Sequence, residues 1–125
     1  AWADIERHLT TMLPYDFQEL VAALLRAMGY HVGWIAPPGP DGGADIVAFN
    51  DPLGTRPPRI KVQVKRQQAK VSSDGVNAFL GVLGHEDVGI FVNTGGFTRD
   101  AEAVARGHHS RRVTLLSMER LVELW

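Results

Sequence analysis

The 125-residue sequence contains no cysteine. Disulfide frameworks, thiolate zinc sites and thiol nucleophiles are thereby excluded, and a reducing compartment is allowed, so the cytoplasm is the expected location. No apolar run approaches the roughly 20 residues that a bilayer-spanning helix needs, and the N-terminus lacks the basic, apolar, small-residue order of a signal peptide. No membrane role is expected. Excess charge is lacking too: 13 Lys and Arg stand against 14 Asp and Glu, for a formal charge of −1. Total charge therefore exerts no pull towards nucleic acid.

What is present suits one compact domain. A hydrophobic content of 45% is enough to bury a single core at this length. The basic residues are unevenly spread. Only Arg7 and Arg26 precede residue 56, whereas Arg56, Arg59, Lys61, Lys65, Arg66 and Lys70 crowd together. This is either a local nucleic-acid footprint or a solvated strand edge protected by charge.

Apolar residues Phe17, Leu20, Val21, Leu24, Leu25 and Met28 recur at three- and four-residue intervals between Pro14 and Gly29, which predicts an amphipathic helix. Tyr30 to Ile35 reads as a strand. The run Pro37-Pro38-Gly39-Pro40-Asp41-Gly42-Gly43 must be a loop, because it can continue no regular structure. Strands follow at Ala44 to Phe49 and Ile60 to Lys65. Ser72 or Ser73 can cap a helix carrying Val76, Phe79, Leu80 and Leu83, ahead of a short strand at Val88 to Val92. Thr98 can cap the next helix, Val113 to Leu116 supplies a last strand, and Ser117 opens a terminal helix. The order αβββαβαβα implies the α/β class, with a mixed central sheet flanked by helices. Residues 1–13 are expected to be an N-terminal extension or a linker from an upstream region, and residues 14–125 the domain proper. The start at Ala1 without methionine suggests a fragment of a longer protein.

The constellation with most chemical content is Asp45 at the head of one strand, with Gln63 and Lys65 two residues apart on the next. Residues two apart on a strand share a face, so Gln63 and Lys65 are presented together while Ile60, Val62 and Val64 turn to the core. If the strands pair, Asp45 joins them. Its carboxylate, the Gln63 oxygen and the backbone carbonyl of Val64 form a hard-oxygen set suited to Mg2+, or to Mn2+ in its place. Lys65 would then lie beside an attacking water, as phosphodiester hydrolysis requires. Any exposed strand can alternate in this way, so Gln-Val-Lys alone is a weak signal. The glycine-rich loop before Asp45, the preceding helix and the basic neighbours add weight to it.

The runs Asp16-Phe17-Gln18-Glu19-Leu20, Met28-Gly29-Tyr30, Asp41-Gly42-Gly43-Ala44-Asp45, Gln63-Val64-Lys65 and Gly89-Ile90-Phe91-Val92-Asn93-Thr94-Gly95-Gly96-Phe97-Thr98 resemble, in order, those of Mrr-like restriction endonuclease catalytic domains. Those domains belong to the PD-(D/E)xK nucleases and typically carry Gln in place of the second acid, as at Gln63. The resemblance implies a restriction-endonuclease-like fold and magnesium-dependent cleavage of double-stranded DNA. It also implies a type IV restriction role, often directed at modified bases. Asp45, Gln63 and Lys65 would be the catalytic residues, with Arg59, Lys61, Arg66 and Lys70 as DNA contacts. The sequence departs from the family at Gln18, where such domains usually carry a Glu that helps the metal site. On the helical wheel Gln18 falls on the flank of an apolar face centred near Phe17 and Met28, and Glu19 nearly opposite, towards solvent. The departure leaves open a slow or inactive enzyme, or a site repaired by Asp41, although Asp41 reads more simply as a turn residue before glycine.

Other signals carry less. The glycine-rich loop lacks the Gly-Lys-Ser/Thr ending of a phosphate-binding loop. His108-His109 reads as a solvated pair, and Trp2, Trp34 and Trp125 read more readily as core or interface anchors than as base-stacking platforms. Three functions are weighed: a nuclease, a nuclease-fold DNA-binding module with a degraded metal site, and a small-molecule enzyme. The last is least favoured, because paired carboxylates and a Ser/His/Asp set are absent. With so little positive charge, the nuclease is expected to rely on a separate DNA-recognition domain, with homo-oligomerisation left open.

Overall fold

The computed structural model describes residues 2–11, 14–35, 44–55, 58–84, 86–107 and 112–124. Helix α1 (Trp2–Thr11) leads into helix α2 (Pro14–Ala27), followed by strands β1 (His31–Ile35), β2 (Ala44–Phe49) and β3 (Ile60–Lys65). Helix α3 (Ser73–Gly81), strand β4 (Val88–Asn93), helix α4 (Arg99–Gly107), strand β5 (Arg112–Leu116) and helix α5 (Met118–Leu124) complete the chain. From α2 onwards this is the order expected from periodicity. Helix α1 stands ahead of it, in the segment read as an extension or linker. Its described side chains, Ala3, Asp4, Ile5, Arg7 and His8, are all exposed.

The five strands lie in the order β1-β2-β3-β4-β5. Strands β1, β2 and β3 pair antiparallel, and β3, β4 and β5 pair parallel. The parallel half needs helical crossovers, which α3 and α4 supply. Helices α2 and α5 cover one face through Phe17, Val21, Leu25, Met118 and Leu121, packed on Ile46, Ala48, Ile60, Val62, Val64, Val92 and Leu116. Helices α3 and α4 cover part of the other face around Phe91. The Phe91 ring meets Phe79 and Phe97 edge-on, with centroids 5.1 and 5.5 Å apart. Such T-shaped contacts match ring edges to ring faces electrostatically.

The ends of α2 are set locally. Proline opens it at a position that needs no amide donor. At the other end Gly29 takes φ +97°, with Tyr30 N bonded to Leu25 O at 3.1 Å and Gly29 N to Arg26 O at 3.0 Å. This is a Schellman turn, which caps the last carbonyls through a left-handed residue. It stops the helix at Ala27, so Met28 lies outside it and is 50% exposed instead of centring the apolar face. Trp34, expected as an anchor, is 56% exposed, on an edge strand whose register shifts between Val32 and Trp34.

Candidate active site

The third strand alternates as its sequence demands: Ile60, Val62 and Val64 are 3, 1 and 2% exposed, while Lys61, Gln63 and Lys65 are half-buried. Asp45 is the register partner of Gln63 in the antiparallel β2-β3 pair, and Ala44 that of Val64. On the far side, Gln63 is opposite Phe91 and Lys65 opposite Asn93 in the parallel β3-β4 pair. Directly opposed residues have Cα atoms about 4.5–5.5 Å apart, and two residues along a strand span about 6.6 Å. Positions 45, 63 and 65 therefore cluster where β2 begins and β3 ends. The Asp45 side chain, the whole of Asp41, the pair His108-His109 and Trp125 lie outside the described residues, as does the Trp2 side chain.

Gln18 belongs to the buried stripe and not to its flank. It is 2% exposed, as buried as Phe17, Val21 and Ala22 on the same helix. The stripe also takes in Leu24 and Leu25, and its centre thereby shifts towards position 18. Glu19, expected to face solvent, is half-buried. Because α2 packs on the sheet and reverses directly into β1, its first turns lie towards the end where β1 finishes and β2 begins. Gln18 thus stands behind the sheet at the same end as Asp45.

The basic stripe divides in two. Arg59 donates from Nε to Asp87 Oδ1 at 3.2 Å and from Nη2 to Asp87 Oδ2 at 3.0 Å. Lys61 donates to Val82 O at 3.0 Å and lies 3.9 Å from Asp87 Oδ2. Both are held where β3 and β4 begin, the opposite end of β3 from Lys65. Arg66 follows Lys65 directly, and Lys70 comes five residues on in the loop that leaves this end of the strand. Asp87 carries no signal in the sequence, since nothing local marks a carboxylate 28 residues from its partner.

The loop after Lys65 is fastened to the turn after β4. Thr94 N donates to Lys65 O at 3.2 Å, and the Thr94 hydroxyl accepts from Gln67 N at 3.0 Å and donates to Gln67 O at 2.9 Å. Asn93, 0% exposed, donates from Nδ2 to Ala69 O at 3.0 Å and to Gly96 O at 2.7 Å.

The residue types at positions 45 and 63 and the backbone at Val64 offer oxygen donors only, and these are the groups at this end of the sheet that could hold a cation. Among the described residues no three or more His, Cys, Asp or Glu side chains come together. Hard oxygen donors in small number suit a magnesium-like cation that keeps part of its shell from water and phosphate.

No curated protein sequence matches the chain. Among solved structures, the MspJI restriction endonuclease in complex with a 27-mer oligonucleotide is similar, with TM-score 0.55 and 20% identity over 97% of this chain. The chain spans 27% of that protein's length, and the likeness establishes the restriction-endonuclease-like fold. EndoMS in its apo form is matched at TM-score 0.48 and 14% identity, over 80% of this chain and 46% of that one. A family model described as restriction endonuclease, of the Mrr catalytic-domain type, matches residues 9–125. With nearly its whole length inside that match, the chain belongs to the restriction endonuclease family.

Proposed function

We propose that this domain is the catalytic unit of a metal-dependent DNA endonuclease of the Mrr-like, type IV restriction kind, with Asp45, Gln63 and Lys65 as its catalytic residues. The observation that carries the reading is the register of Asp45 against Gln63, with Lys65 two residues further on, in a chain of this family. Asp45, Gln63 and the Val64 carbonyl would hold Mg2+, or Mn2+ in its place. A cation bound there would neutralise charge on the scissile phosphate and lower the pKa of a bound water. Lys65 places its ammonium where it can orient a water and donate to a phosphate oxygen, which favours the charge-rich transition state over the ground state.

Arg66 and Lys70 are assigned to the DNA backbone, since they share the Lys65 end of the strand. Arg59 and Lys61 are read as fold-holding cations. The substrate is double-stranded DNA, modified bases being the preferred target. The reading includes a separate recognition module and a cytoplasmic location; self-association is compatible with it. Among the described residues no helix is long and apolar enough to cross a membrane.

A second reading, a DNA-binding module with little or no cleavage, is favoured by one observation. The buried position 18 holds a neutral amide, so the site has one anionic ligand fewer than the family pattern implies. Incubating modified and unmodified plasmid with the protein, with and without magnesium or manganese, separates the two. Metal-dependent nicking or linearisation that Lys65→Ala abolishes supports the nuclease. Retarded but uncut DNA under every condition supports the binding module.

A further inference from the structure

The strands β3 and β4 end side by side, on Lys65 and Asn93 as register partners. Beyond Lys65 a loop would ordinarily be free to move, yet the next residues are held main chain first. The Thr94 hydroxyl clips both the N–H and the C=O of Gln67, and the Asn93 carboxamide takes Ala69 O. Val71 N donates to Gly96 O at 3.1 Å and Thr98 N to Val71 O at 3.0 Å. Gly95 lies under the same loop so closely that a Cβ would come within 2.7 Å of the carbonyl oxygens of Gln67, Gln68 and Ala69.

We infer that Asn93 and Thr94 are positioning residues for the reaction: they splint the chain from Lys65 to Val71, and so fix the Lys65 ammonium and the Arg66 and Lys70 charges against the substrate phosphates. This rests on the nuclease reading above. Asn93 is a costly choice for a site that needed only packing. It is wholly buried with Nδ2 spent on two carbonyls, and no described residue donates to its Oδ1. An apolar residue of similar size would fill the space but leave the Ala69 and Gly96 carbonyls without this donor, so what the amide adds to packing is the tie between the loop and the turn. A reacting group gains its rate from placement, and small displacements lose it.

The test replaces Thr94 with Val, which keeps the shape and removes the hydroxyl, and with Ser, which restores it. The full chain is assayed for its single-turnover cleavage rate on plasmid at saturating magnesium, for the Kd of the same DNA without metal, and for hydrogen exchange at the Gln67 amide. T94V is expected to lower the rate about 10- to 100-fold, to leave Kd within about twofold, since every phosphate-binding cation is kept, and to speed exchange at Gln67. T94S is expected to recover most of the rate. If T94V does not fold, Thr94→Ala repeats the comparison. A folded variant that cleaves at the parent rate overturns the splint, as does a T94S variant as impaired as T94V. A parent chain that cuts neither modified nor unmodified DNA with either metal overturns the nuclease reading and this role with it. An active parent beside an unimpaired T94V overturns the splint alone.

Discussion

Arg59 and Asp87 meet in a two-point fork across 28 residues of sequence, Nε on Oδ1 at 3.2 Å and Nη2 on Oδ2 at 3.0 Å. The carboxylate is 7% exposed and also accepts from Gly84 N at 2.7 Å. The fork pins the start of β3 to the start of β4, so that the two parallel strands enter the sheet in register and end together at Lys65 and Asn93.

This pin makes stability depend on pH in a predictable sense. Burial pushes the Asp87 carboxyl up, but hydrogen bonds from Arg59 and the Gly84 amide, with the charges of Arg59 and Lys61, outweigh it and hold the group below its ordinary value. A depressed carboxylate contributes stability that is present above its unfolded value, about 3.9, and lost as the pH falls through the lower folded value. Asp87→Ala is expected to lower unfolding stability by about 1–3 kcal/mol at neutral pH, with the deficit shrinking below about pH 4. Denaturant titrations of parent and variant at pH 7 and pH 3 check this; an equal deficit at both rejects the ionic part of the account. Arg59→Ala should cost at least as much, because it leaves the buried Asp87 carboxylate with only the Gly84 amide and Lys61, at 3.9 Å, as partners.

DNA affinity should follow position along β3 and not charge alone. Arg66→Ala and Lys70→Ala are each expected to weaken binding and to reduce the salt dependence by about one counterion. Arg59→Ala should leave both unchanged. Titrations over a range of salt concentrations decide the matter, and an Arg59→Ala slope reduced as much as that of Arg66→Ala would return the upper half of the stripe to the interface.

Lys65→Ala should separate chemistry from binding. The loss of a positioned ammonium is expected to lower the cleavage rate by about 10²–10³-fold, the usual scale for a donor that stabilises charge in the transition state. One charge among several neighbours should alter DNA affinity by a few-fold at most. Equal rates for variant and parent would remove Lys65 from the reaction.

What the sequence reveals and what it conceals divide along a physical line. The bounds of β2 and β3 are legible because strict alternation, as in Ile60, Val62 and Val64, has one buried solution. The helix caps at Thr98 and Ser117 are legible because the side chain bonds its own next turn: Thr98 Oγ1 takes Ala101 N at 3.1 Å, and Ser117 Oγ takes Arg120 N at 3.3 Å. Helix α1 is hidden because its described side chains show no buried stripe, and Met28 misleads because the wheel does not show where Gly29 ends the helix. Within the candidate site, the Gln63-Lys65 spacing is local and readable. The contacts of Asn93 with Ala69 and of Arg59 with Asp87 join residues 24 and 28 apart, and no periodicity encodes such pairs.

Gln18 offers the sharpest comparison between stability and activity. Its side chain is 2% exposed, on the helix whose first turns lie behind the end of the sheet where Asp45 begins its strand. Gln18→Glu would place a carboxyl there. A buried carboxylate without a compensating charge destabilises by several kcal/mol or takes up a proton. A divalent cation reverses that balance, because an anionic oxygen is a better ligand for a hard cation than a neutral one. The variant is therefore expected to melt below the parent in chelator, to regain most of the difference when magnesium is added, and to reach half-maximal cleavage at a lower magnesium concentration. Glu19→Gln, one residue along and only half-buried, should do little in either assay. Melting curves and cleavage rates over a magnesium series for the parent and both variants test the point. If Gln18→Glu is destabilised to the same extent with and without metal, position 18 lies outside the coordination shell. If Glu19→Gln alone changes the magnesium requirement, the ligand comes from the neighbouring residue and the assignment of position 18 is wrong.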